Sequence, residues 1–129
     1  MCLGSHAIRS WSSTQAIIAT SSSEAELYAL VEGAARSLGA QSVLKDLGFE
    51  VRIHLLTDST GGKSIINRQG IGKTRHVHTK FLWVQQAVFQ KRFSAGKVLG
   101  TENPSDVLTK YLSDTAMERV LNKVGVKYA

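Results

Sequence analysis

Across residues 23–38, Leu27, Leu30, Val31, Ala34, Ala35 and Leu38 recur at i, i+3, i+4, i+7, i+8 and i+11, which draws one apolar face of a helix. Val43, Leu44 and Leu47 keep that spacing, and Gly48 is a better stop signal than Gly39, so the pattern predicts a helix reaching about residue 47. Ahead of it, residues 7–12 and 16–20 are short β-prone runs carrying Ile8, Trp11, Ile17 and Ile18, separated by polar residues. They predict a hairpin, which needs more sheet to be stable. Residues 51–57 form the clearest strand, apolar enough to be internal, and lead through Asp58-Ser59-Thr60 into a helix containing Ile65, Ile66 and Asn67. Phe81, Leu82, Val84, Val88 and Phe89 predict a helix of about three turns, and residues 93–99 a glycine-bearing strand. Asn103-Pro104 suits a helix start, and a last helix over residues 113–124 carries Met117, Val120, Leu121 and Val124 on one side.

Strands and helices thus alternate in an α/β pattern, and 129 residues are enough for one real core but too few for two ordinary ones, so residues 1–129 read as a single domain. The composition is 43% hydrophobic and 20% charged with one proline, which excludes a disordered chain. No apolar run approaches the roughly 20 residues of a bilayer span, and the first residues lack the features of a signal peptide. A cytoplasmic or nuclear, non-secreted protein without a membrane partner is expected. Cys2 stands alone, so neither an internal disulfide nor a thiolate metal site is expected. A net charge of +6 makes a polyanionic partner plausible.

Acids stand at three places where chemistry collects. Glu24 and Glu26 open the long helix, and Ser21 to Glu24 and Ser23 to Glu26 both have capping-box spacing, so spacing alone does not tell a cap from a functional acid. Asp58 ends the clear strand, at the sheet edge where ligands gather in open α/β folds, although an aspartate there also suits a helix cap. Asp106 follows Asn103-Pro104 within the first turns of a helix, where an acid also complements the helix dipole. Gly61-Gly62-Lys63-Ser64 is not a phosphate-binding P-loop, since Thr57 stands where that motif needs glycine. The densest cationic stretch, residues 68–80, holds Lys73, Arg75, His76 and Lys80, residue types that contact phosphates. His76 and His78 would ligate a metal only with ligands from elsewhere.

Trp11-Ser12-Ser13-Thr14-Gln15, Ser21-Ser22-Ser23-Glu24-Ala25-Glu26-Leu27-Tyr28-Ala29-Leu30, Thr57-Asp58, Arg75-His76 and Asn103-Pro104-Ser105-Asp106-Val107-Leu108-Thr109-Lys110, in this order, resemble the ribonuclease H domain at the end of the Ty1/copia retrotransposon Pol polyprotein. The resemblance covers about residues 4–112 and implies a ribonuclease H-like fold, a mixed sheet flanked by helices. It implies metal-dependent cleavage of the RNA strand of RNA-DNA hybrids during reverse transcription. Glu26, Asp58 and Asp106 would be catalytic and metal-holding acids, for two Mg²⁺ or Mn²⁺ ions about 4 Å apart. Glu24 would be the capping acid, Lys73, Arg75, His76 and Lys80 would contact the hybrid, and His78 has no catalytic role. The family's first catalytic aspartate, on a central first strand, precedes the segment matching Leu3-Gly4-Ser5-His6, so this chain is expected to be N-terminally truncated, to lack that strand, and to hydrolyse weakly or not at all. The strand would come from an upstream polyprotein segment or a strand-donating partner. The alternative expectation is a non-catalytic nucleic-acid-binding or structural remnant.

Overall fold

The computed structural model describes residues 1–70, 81–108 and 110–126. The chain is mixed α/β and forms two compact units, one from Gln15–Lys97 and one from Met1–Thr14 with Val98–Ala129.

The first unit begins with helix α1, Ser22–Asp46. Ser21 caps it, its hydroxyl accepting from the Glu24 N–H at 3.2 Å. At the other end Gly48, at φ +87°, donates to the Lys45 carbonyl at 2.9 Å while the Phe49 N–H reaches Leu44 at 2.8 Å. This paired arrangement satisfies the last carbonyls and needs a left-handed residue, which glycine supplies without strain. Leu27, Leu30, Val31 and Ala34 of the predicted face are buried, but Val43 and Leu47, in the continuation, are exposed. The helix therefore outruns its core.

Strand β3, Ile53–Thr57, pairs in parallel with β4, Phe93–Lys97, and the connection between them carries α2, Thr60–Asn67, and α3, Trp83–Phe89. (The two short strands before α1 belong to the second unit.) Ile53, Leu55 and Thr57 are buried and alternate with exposed His54 and Leu56. This period-two pattern marks a strand covered on one face, so the expectation of an internal strand is corrected: among the described residues β3 has only β4 beside it. Helix α3 has seven residues, about two turns in place of the three expected. The core joins Leu27, Leu30, Ile53, Leu55, Ile65, Ile66, Val84 and Phe93.

In the second unit, β1, Cys2–Leu3, turns through Gly4-Ser5 into antiparallel β2, His6–Ala7. Gly4 lies at φ +60°, which suits a two-residue hairpin turn. This hairpin replaces the expected one: residues 8–20 contain no strand, and Ile18 is 93% exposed. β-prone side chains without a sheet to cover them have no burial to gain, so propensity there goes unused. The Ala7 N–H donates to the Val124 carbonyl at 2.8 Å, beyond the end of α4, Asp114–Lys123. Residues 104–108 are a short 3₁₀ helix, where an α-helical start was expected.

Candidate acidic site at the end of β3

The site grows out of how β3 ends. Thr57 is buried, and its hydroxyl accepts from the Ser59 N–H at 3.0 Å, a side-chain turn that folds the backbone around Asp58. Ser59 in turn caps α2, its Oγ accepting from the Gly62 N–H at 3.0 Å. Capping is therefore done by Ser59, and Asp58, half-buried, is left without that task.

The same Thr57 hydroxyl donates to Glu26 Oε2 at 3.3 Å, a link across 31 positions of sequence. Glu26 is half-buried on α1 and so comes to the strand end that carries Asp58. Two glycines allow this approach. A Cβ on Gly61 would stand 2.1 Å from Ser23 Oγ, and one on Gly62 would stand 3.1 Å from the Glu26 Cβ. Their backbone lets the first turn of α2 press against the first turns of α1. The signal of Gly61-Gly62 in the sequence, two small residues at a helix start, is one of close packing and not of a phosphate loop.

Glu24 is a different acid. It is 1% exposed, and its carboxylate accepts from the Thr20 N–H at 2.8 Å, from Thr20 Oγ1 at 2.6 Å and from the Tyr28 hydroxyl. Ser21 and Glu24 thus form the reciprocal cap expected of their spacing, with the carboxylate reaching back one residue further than usual. The Ser23–Glu26 alternative is not realised, because the helix already starts at Ser22.

Lys97, which sequence reading passed over, pairs in register with Thr57, and its ammonium donates to Thr60 Oγ1 at 2.7 Å. A cation therefore stands at the end of the sheet that carries the acids. Asp106 belongs to the other unit, where it is half-buried on the 3₁₀ helix and pairs with Lys110 at 2.8 Å. Lys73, Arg75, His76, His78 and Lys80 lie outside the described residues. Among the described residues no group of three His, Cys, Asp or Glu side chains is arranged to hold a metal. A cleft of about 420 Å³, lined by Gln69, Gly70, Leu82, Gln85, Gln86 and Phe89, does not include the acids.

Two carboxylates with a neighbouring hydroxyl are hard oxygen donors. Mg²⁺ commonly takes one or two such carboxylates and completes its shell with water and substrate phosphate.

The chain is similar to the retrovirus-related Pol polyprotein from transposon TNT 1-94 of Nicotiana tabacum, with 24% identity over 120 residues. The match covers 91% of this chain and 9% of that polyprotein. It supports a transposon Pol origin for the chain and a retroelement protein in general. No protein-family profile matches, and neither does any solved structure. Among the described residues no helix is long and apolar enough to cross a membrane.

Proposed function

We propose that these residues are the ribonuclease H portion of a retroelement Pol polyprotein, with Glu26, Asp58 and Asp106 as metal-holding acids and the basic stretch around Lys73, Arg75, His76 and Lys80 as its contact with an RNA-DNA hybrid. The observation that supports this most is the delivery of Glu26, through Thr57, to the strand end that carries Asp58. Retroelement origin gives the pair a context. Bound divalent metal would activate water and steady the leaving oxygen of a phosphodiester, and the carboxylates would hold it. Hybrid recognition would run through backbone and groove shape, with 2′-hydroxyls marking the RNA strand.

The 129 residues hold three of the four acids the resemblance implies. The other aspartates are Asp46, at the end of α1, and Asp114, at the start of α4. We therefore expect no measurable hydrolysis from these residues alone. A labelled RNA-DNA hybrid in Mg²⁺ or Mn²⁺ tests this with three proteins: the 129-residue chain, a form extended upstream by a strand bearing an aspartate, and that extended form with Asp58→Asn. The extended form should cleave, and Asp58→Asn, which removes a proposed metal-holding carboxylate, should abolish or strongly slow that cleavage. Failure of the extended form to cleave overturns the ribonuclease H assignment. Cleavage by the 129-residue chain itself overturns the expectation that it is inactive. The net charge of +6 favours a second reading, nucleic-acid binding without hydrolysis, which predicts salt-sensitive hybrid binding by every form and cleavage by none.

A further inference from the structure

Strand β4 changes character along one face. Phe93, Ala95 and Lys97 alternate with Ser94 and Gly96, and go from buried through half-buried to exposed. Each stands in register with a residue of β3: Phe93 with Ile53, Ala95 with Leu55 and Lys97 with Thr57. Ile53, Leu55 and Thr57 are the buried side of β3, and His54 and Leu56 its open side. Residues in register on neighbouring strands share a face, so Lys97 stands on the side of the sheet that packs against α1 and α2. On that same side Glu26 receives the Thr57 hydroxyl.

A lysine ammonium carries three donors. One of them goes to Thr60 Oγ1 at 2.7 Å, on the first residue of α2 and two positions after Asp58. Two acids share this end of the sheet, yet among the described residues no ion pair includes Lys97. The hydroxyl holds the ammonium at the start of α2 and leaves its charge unpaired there. That charge has a use if the acidic end receives a polyanion. Glu26 and Asp58 repel a phosphodiester, and a cation on the same face offsets the repulsion. A compact ammonium with rotating donors suits a phosphate oxygen.

We propose that Lys97 is a substrate-contacting residue: its ammonium binds a non-bridging phosphate oxygen of the RNA-DNA hybrid beside Glu26 and Asp58, and Thr60 keeps it in place for that contact. This rests on reading the acidic end as the place where the hybrid is cut. The contact is with backbone charge, so it carries no base preference.

The test uses the 129-residue chain in EDTA, so that the probe, a labelled RNA-DNA hybrid, stays uncut while anisotropy is read across a salt series. Lys97→Met keeps the apolar stem and loses the charge. It should lower the slope of log K against log salt by about one and weaken binding on the order of tenfold at about 0.1 M salt. Lys97→Arg should keep the slope. Thr60→Val, which removes the hydrogen bond and keeps the charge, should weaken binding less and leave the slope as it was. Lys45→Met removes an equal charge roughly 28 Å along α1 from Glu26 and should change neither quantity. In the form extended upstream, Lys97→Met should raise KM severalfold and change kcat less, as loss of a contact made before and during the reaction alike.

An unchanged slope in Lys97→Met, with the unchanged chain binding the hybrid, overturns the role of Lys97 alone. An equal fall in slope with Lys45→Met overturns it too, because net charge would then account for the effect. So does an equal fall with Thr60→Val, which would assign the loss to the broken hydrogen bond. No binding of the hybrid by the unchanged chain overturns the hybrid reading itself. Should Lys97→Met fail to fold, Lys97→Gln carries the same readouts.

Discussion

Glu24 and Glu26 stand two residues apart on α1 in opposite circumstances. The first is sealed in and saturated by Thr20 and Tyr28, while the second is half-open and holds one long hydrogen bond from Thr57. Removing a buried charged acceptor strands its donors, so Glu24→Ala should cost about 2–3 kcal/mol of unfolding free energy in urea titrations. Glu26→Ala should cost less than about 1 kcal/mol in the same experiment. Equal losses would mean that both glutamates are structural. The separation was half legible in the sequence. Ser21 to Glu24 is a capping box on spacing, but so is Ser23 to Glu26, and only the start of the helix at Ser22 decides between them. Thr57 was beyond such reading, because a threonine at a strand end announces no partner 31 residues away.

Between elements, the contact that matters most for the acids is α1 against α2 at Ser23, Gly61 and Gly62. Gly61→Ala should destabilise the protein by about 1–3 kcal/mol through overpacking, since Ser23 Oγ lies where the methyl must go. Because the clash involves Ser23 Oγ and Cβ, Ser23→Gly should recover much of that loss in a double-mutant cycle read by thermal unfolding. Simple additivity would place the strain elsewhere. The long helix, β3 and α2 are visible in apolar periodicity, since each buries a regular stripe, whereas β4 fully buries only Phe93 and shows no such period. The hairpin is not visible either. Ile8, Trp11, Ile17 and Ile18 have the composition of strands, whereas Cys2–Leu3 and His6–Ala7 are too short to show a period at all, and their signal is the glycine of the turn.

For the whole molecule, burial is unevenly shared. Every residue of the joined hydrophobic core lies within Gln15–Lys97, whereas the other unit fully buries only Val120 among its described hydrophobic residues. Amide exchange should therefore be slowest in α1, β3 and α3 and distinctly faster in α4, with opening free energies at least about 1.4 kcal/mol, or tenfold in rate, apart. Similar protection throughout would show that the second unit draws stability from elsewhere. The positive charge and the α/β class were legible from composition and order of elements; the division into two units was not, because it depends on which segments gather around a core and not on any break in the sequence.

The parallel pairing of β3 with β4 also governs when the acidic end can come into being. His54 and Ser94, hydrogen-bonded across the pair at 2.6 Å, are 40 positions apart, so no tight turn can nucleate the ladder, and the helices between must be laid down as it closes. Such long-range closure is slow compared with forming α1. On the ribosome, Asp58 therefore waits beside an unpaired strand until Lys97 has emerged, and the site is born late in the synthesis of its own unit.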